Sequence, residues 1–284
     1  MEERGDSLGK FDGVLLATDY DETLYGAAQG VTPENRAAIS YFITEGGFFT
    51  VSTGRSLRNF AIQMERESIP VNAPIILSNG ANIYDFSTKT MLCERLMRDE
   101  VRENIAQVCA YYPRLGFEAY CREEVYVHNP NTITERHLTR AGLEGILLPI
   151  AEMPIPWTKA ILQHEEHSYL LEVQNCIRLH WPEHYEVIFS NPYLLELTAK
   201  GSHKGTAVLW LAKYLGVLRK HIYCIGNGQN DIPMLDVSAE PFAPANCTPA
   251  IRERGATILT SCDESCIARL IETLDRRYSG HVTV

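Results

Sequence analysis

The chain has 284 residues, of which 45% are hydrophobic, and 26 Lys and Arg against 36 Asp and Glu give a formal net charge of −10. At about 150 residues per domain that length favours two domains. The acidic surface argues against nucleic-acid and membrane partners, but not against a small phosphorylated metabolite whose charge a bound cation offsets. Eight scattered cysteines with no Cys-x-x-Cys pair point to reduced thiols and a cytoplasmic location rather than a disulfide scaffold. The opening residues lack an apolar stretch of signal length, and no segment approaches the roughly eighteen apolar residues of a membrane span.

The apolar run 14–17 is too short for a helix and reads as a buried strand, after which the chain breaks into Asp19, Tyr20, Asp21, Glu22, Thr23 and Leu24. In an open parallel sheet, ligands bind at the strands' C-terminal ends. Two carboxylates two residues apart at such an end repel each other unless a cation or a shared proton relieves them.

Thr32 and Pro33 mark a helix start, Ala38, Ile39, Phe42 and Ile43 give that helix a buried stripe, and Gly46 and Gly47 stop it. A strand over 48–52 leads into Thr53, Gly54 and Arg55, then into a helix from Ser56 with Leu57, Phe60, Ala61 and Met64 inward. A third strand over 74–78 ends in Asn79, Gly80 and Ala81. The alternation predicts an α/β fold with a right-handed, parallel, doubly wound sheet.

From about residue 84 the rhythm changes. A hairpin over 83–86 and 90–94 precedes a helix capped by Asp99, a strand pair at 117–121 and 125–127, and a helix over 132–141. A strand at 160–162, a helix over 168–180 and an antiparallel pair at 186–189 and 194–197 follow. Hairpins mixed with helices predict a separate α+β domain inserted into the first, with 85–191 as the insert and 1–84 with 192–284 as the core. The first pattern returns near 200: a helix over 204–215, a strand over 222–225, the loop Gly226 to Asp231, short strands near 240 and 257, and a last helix carrying Ile267, Leu270, Ile271 and Leu274.

Phosphoryl transfer asks a protein mainly for positioning and charge neutralisation. Asp19 can be a nucleophile that divides one hard step into two, and Asp21 can protonate the leaving group and then deprotonate water. Thr53 and the amide of Gly54 can hydrogen-bond phosphate oxygens. Lys204 begins a helix, where its ammonium and the helix N-terminus both favour an anion. Asp231 and the side-chain carbonyl of Asn227 can join Asp19 around Mg2+. Taken singly, Thr53 with Gly54 is a tight turn, Lys204 a solvated helix start, and 226–231 a flexible loop. All of them, however, fall at the same end of one predicted sheet.

These signatures, in this order, resemble the haloacid dehalogenase superfamily: Asp19-Tyr-Asp-Glu-Thr-Leu, Ser52-Thr-Gly-Arg, Ser78-Asn-Gly-Ala, Ser202-His-Lys-Gly and Gly226-Asn-Gly-Gln-Asn-Asp-Ile-Pro-Met-Leu. The insert is similar to the cap of the superfamily's Cof-like sugar-phosphatase branch. The resemblance implies a Rossmann-like core, a mobile cap, an Mg2+-dependent aspartyl-phosphate mechanism and small phosphorylated substrates. It makes Asp19 the nucleophile, Asp21 the acid/base, and Thr53, Gly54 and Lys204 phosphate ligands, with Arg55 and Asn79 beside the cleft. The implied metal ligands are Asp19, the backbone carbonyl of Asp21, Asn227 and Asp231. Two residues depart from the family pattern: Asn227 stands where an aspartate is usual, and Glu22 where a glycine is usual. The residues also admit a phosphometabolite-binding protein with a decayed metal site, or a phosphotransferase or mutase. Tyr126 and His128 are candidate substrate contacts from the insert. The pairs His164 with His167 and His180 with His184 have zinc-like spacing but lack a third ligand.

Overall fold

The computed structural model describes residues 9–279. All four residues of β1 (Leu15–Thr18) are buried. The strand lies between β2 (Phe48–Val51) and a strand from the far end of the chain, and helices cover both faces of the sheet, so the run is apolar throughout instead of alternating. Leu16 packs with Phe49 and Phe42 on one side, Leu15 and Ala17 with Val208 and Leu211 on the other. Leu16 is fully buried, and Leu16→Ala is expected to lower the unfolding free energy by about 2–5 kcal/mol, read from urea denaturation.

Between these strands lies α1 (Pro33–Thr44), whose first turn is closed by Thr32 Oγ1 accepting the Asn35 N–H at 3.2 Å. After β2 come α2 (Leu57–Glu67) and β3 (Ile75–Leu77). β3 meets the sheet through a parallel bridge between Ser52 and Ile76, and its other edge pairs antiparallel with β4 (Asn82–Asp85), which pairs with β5 (Thr90–Glu94).

The insert holds α3 (Val101–Tyr111), β6 (Gly116–Cys121), β7 (Glu124–His128), α4 (Thr132–Ala141), β8 (Gly145–Leu147), β9 (Lys159–Gln163), α5 (His167–His180), β10 (Tyr185–Asn191) and β11 (Leu194–Ala199). Its strands form one sheet in the order β10-β11-β9-β6-β7-β8. One face packs Phe117, Leu162 and Leu195 against Ile105 of α3 and Leu170 and Val173 of α5. The other face carries Tyr120, Ile161 and Leu194 beside Ile133 of α4, together with buried Glu118, Lys159, Gln163 and Glu196.

The expected boundaries at 85 and 192 both cut hairpins. β4 and β5 stay with the core, where Ile83 is buried among its apolar residues and Tyr84 and Phe86 pack against them. At the other end, β11 bonds to both β10 and β9, which puts 194–199 in the insert's sheet. A hairpin reads alike in either unit, because the sequence shows the pairing signal and not the partner sheet. Nor does Asp99 cap α3, whose N-cap position is Glu100 and has no side-chain bond.

The chain returns through α6 (Lys204–Leu215), β12 (Ile222–Ile225), α7 (Ile232–Leu235), β13 (Glu240–Ala243), α8 (Pro249–Arg252), β14 (Thr257–Ile258) and α9 (Cys266–Ser279). The resulting sheet, β14-β13-β12-β1-β2, is parallel throughout. Among the described residues no helix is long and apolar enough to cross a membrane.

Candidate active site

Strand alternation turns Asp19, just past β1, to the same side as Leu15 and Ala17, the side that α6 covers. Lys204 opens that helix, and its Nζ donates to Asp19 Oδ1 and to Asp231 Oδ1, both at 2.6 Å. Lys204 and Asp231 are fully buried, and Asp19 is 6% exposed. Two close approaches enforce this meeting. A Cβ on Gly205 would lie 2.1 Å from the Pro233 carbonyl oxygen, so the residue after Lys204 has to be glycine for α6 to dock on α7. A Cβ on Gly226 would lie 2.4 Å from Asp231 Cβ, because the loop wraps that carboxylate and gives Oδ2 the N–H groups of Asn227 and Gly228 at 2.9 and 2.8 Å.

One ammonium thus serves two buried carboxylates. Burial, and then the Asp231 carboxylate, push Asp19 up to about 7 against the pull of Lys204. Burial disfavours the Lys204 charge, yet the two carboxylates hold its pKa above the usual lysine range. The surplus negative charge fits a divalent cation, and the nearby donors are hard oxygens. They are Asp19 Oδ2, which accepts no hydrogen bond among the described residues, and Asn227 Oδ1, which takes the Thr23 hydroxyl at 3.1 Å. Both Asp231 oxygens already have donors, so this residue offers its charge and remaining lone pairs. Among the described residues no cluster of three or more His, Cys, Asp or Glu side chains is suited to a metal. His164 Nδ1 bonds to the Glu166 N–H, and the Nδ1 atoms of His167 and His180 to the carbonyls of Pro192 and Cys176, so these rings are tied to backbone and not arranged for zinc.

Asp21 stands in a second cluster. Arg55 grips it with two bonds, Nε to Oδ2 at 2.9 Å and Nη2 to Oδ1 at 2.7 Å, and Arg140 of α4 lies 3.6 Å from Oδ1. Burial pushes the Asp21 carboxyl up, but the Arg55 bonds outweigh it and hold the group below the usual carboxylate range. A lowered pKa contributes stability above the unfolded value, near 3.9, that is lost as pH falls through the folded value. Arg55→Gln is therefore expected to lower the thermal midpoint at pH 7, and the deficit is expected to shrink as the pH falls below the ordinary carboxylate range and through the folded Asp21 value. Thr53 is buried, with Oγ1 accepting the Arg55 N–H at 3.1 Å, and the Gly54 carbonyl accepts Lys159 Nζ at 2.7 Å. Asn79 has φ 54°, donates Nδ2 to Glu196 Oε2 at 2.9 Å and accepts Asn230 Nδ2 on Oδ1 at 3.1 Å. Glu22, with φ 60°, occupies the left-handed region that suits glycine, and its side chain is exposed.

The cleft over Asp19 and Asp21 is closed from the insert by Tyr120, His137, Arg140, Lys159, Asn191 and Glu196. Sequence reading missed these residues. A visible signal was Glu196 inside the apolar run Leu194, Leu195, Leu197, and another was His137 with Arg140 one helical turn apart. Tyr126 and His128 do not line the cleft. They pair with Ala119 and Phe117, so alternation turns them to the face that packs against α3 and α5.

The profile of the haloacid dehalogenase-like hydrolase family matches residues 16–271. The 5-amino-6-(5-phospho-D-ribitylamino)uracil phosphatase YwtE of Bacillus subtilis is 25% identical, over 91% of this chain and 97% of its own. The subclass IIB sugar phosphatase BT4131 superposes with a TM-score of 0.80 at 18% identity, over 92% of this chain and 99% of its own. SMU.1108c of Streptococcus mutans does so with 0.81 at 20% identity, over 92% and 98%. Phosphatases of this superfamily generally use a divalent metal ion. With its signatures gathered at the sheet's C-terminal end and a profile match along nearly its whole length, the chain belongs to the haloacid dehalogenase-like hydrolases, in their Cof-like branch, and is a phosphoric monoester hydrolase.

Proposed function

We propose that the enzyme is an Mg2+-dependent phosphatase of a small phosphomonoester of the sugar-phosphate kind, working through an aspartyl-phosphate on Asp19. The observation that carries this reading is Lys204 held at 2.6 Å from both Asp19 and Asp231 beneath a polar cleft. Asp19 Oδ2, free of donors among the described residues, attacks phosphorus, while Lys204 fixes Oδ1 and lends positive charge to the phosphoryl oxygens. The Thr53 hydroxyl and the Gly54 amide serve the same oxygens. Asp21 gives a proton to the leaving oxygen and later takes one from the attacking water, which requires it first to leave the grip of Arg55. Mg2+, held by Asp19, the Asp21 carbonyl, Asn227 and Asp231, would neutralise charge on the transferring group. The polyol phosphate in the name of YwtE and the sugar phosphatase BT4131 support the substrate class. Eight free cysteines support a reducing, cytoplasmic setting.

The test is Mg2+-dependent phosphate release from an aryl phosphate, followed by a panel of phosphorylated metabolites. No release at any Mg2+ concentration would end this reading. Asn227→Asp is expected to lower the half-saturating Mg2+ concentration by about tenfold, since it restores a unit charge beside the cation. An unchanged or higher value would remove Asn227 from the metal site.

A further inference from the structure

The insert buries a carboxylate that the reaction above does not use. Glu118 of β6 is fully buried, and its oxygens accept from Tyr120 Oη at 2.8 Å, Gln163 Nε2 at 2.7 Å and His137 Nδ1 at 3.0 Å. Gln163 is fixed in turn by Thr134 Oγ1, which donates to its Oε1 at 2.5 Å. Burial pushes the Glu118 carboxyl up, but the bonds from His137, Gln163 and Tyr120 hold it below its usual range. An ionised carboxylate only accepts, so the hydrogen of His137 sits on Nδ1 and the ring orientation is set. Nε2 is left over, without a protein partner among the described residues, on a side chain that lines the cleft.

Charge matching singles out the same place. Asp19 is paired with Lys204, Asp21 with both forks of Arg55, and Glu196 with Lys159 at 3.2 Å. Glu22, on the core loop, is exposed. Arg140, three residues after His137 on α4, reaches Asp21 only at 3.6 Å, and its side chain is 63% exposed. His137, with Glu118 behind its Nδ1, and Arg140, with Asp21 only at 3.6 Å, are therefore the basic groups of the cleft with donor positions to spare for a ligand among the described residues. Arg140 is donor-only. A ligand oxyanion accepts from Nε2 only where the ring carries both hydrogens, with Glu118 as the counter-charge behind it.

We propose that His137 and Arg140 form a subsite for a second anionic group, a carboxylate or a further phosphate, on the leaving portion of the substrate, with Glu118 as the positioning residue behind His137. This inference rests on the phosphatase reading and narrows its substrate class to phosphomonoesters that carry another acid.

The test is a matched pair of esters, 6-phosphogluconate and sorbitol 6-phosphate, which differ in a carboxylate against a hydroxymethyl at the end remote from phosphorus. For the holoenzyme kcat/KM is expected to favour the acid by about tenfold, mostly through KM. Arg140→Gln, at an exposed position that leaves the insert's core intact, is expected to bring the ratio close to one, and Arg140→Lys to keep part of it. His137→Gln and Glu118→Gln are expected to reduce the ratio as well. Equal kcat/KM for the two esters in the parent enzyme, or a preference that survives both Arg140→Gln and His137→Gln, overturns the subsite and leaves the phosphatase reading standing. Absence of phosphate release from every ester overturns both.

Discussion

Asp19→Asn is expected to reduce phosphate release by about 10^4-fold or more, the scale seen when a nucleophile acting within a catalytic unit is removed. The same change is expected to stabilise the metal-free protein above pH 7. In that state burial and Asp231 push Asp19 up to about 7, so its folded pKa lies above the unfolded value. The linkage then has one sign: the folded state holds its proton more tightly, and stability falls as pH rises from about 4 to about 7. A neutral amide escapes that loss. Thermal unfolding in EDTA at pH 8 should place the variant above the parent enzyme, and added Mg2+ should stabilise the parent more than the variant. Wild-type turnover by Asp19→Asn would refute its role as nucleophile. A lower midpoint in EDTA would refute the account of crowded charge.

Lys204→Met is the second large effect. Its ammonium is fully buried and bonds to two carboxylates, so removing it strands Asp19 and Asp231 in a dry site. Breaking a buried pair in this way costs about 3–5 kcal/mol, besides the loss of activity. Urea unfolding in EDTA at pH 8 should show that loss, and the deficit should shrink as the pH is lowered toward 7 and then level off, because without the ammonium Asp19 takes up its proton at a higher pH than in the parent. The double variant Asp19→Asn, Lys204→Met should be more stable than the sum of the two single effects allows, since the residues share one network. Strict additivity would mean that the two side chains do not interact in solution.

The core was legible because its chemistry is local. A short run of apolar residues ends in Asp19, glycines follow Lys204 and precede Asn227, and each feature sits next to the strand or helix that aims it. What Gly205 and Gly226 do there, by contrast, is visible only in the structure, where each lets another backbone or side chain approach within the reach of a Cβ. The insert's share of the cleft comes from β6, β9, β11 and α4, and no single window of sequence shows it. Whether a residue of β7 faces the cleft depends on its register with β6. Tyr126 and His128 sit at the end of a strand expected in the insert, and that register turns them away. The tie between Asp21 and Arg55 was equally hidden, since two residues with separate assigned roles turn out to hold each other. The ends of the insert were misplaced because hairpin turns look the same on either sheet.

The contacts between core and insert around the cleft include Lys159 on the Gly54 carbonyl and Glu196 on Asn79, with Arg140 close to Asp21. Parted apolar faces would meet water at a steep cost, whereas these groups exchange one polar partner for another when the two units separate. The junction is therefore expected to part more readily than a packed apolar one would. The contact between Arg140 and Asp21 joins two charges at a partly exposed position, so rising ionic strength should weaken that part of the junction before it weakens either unit.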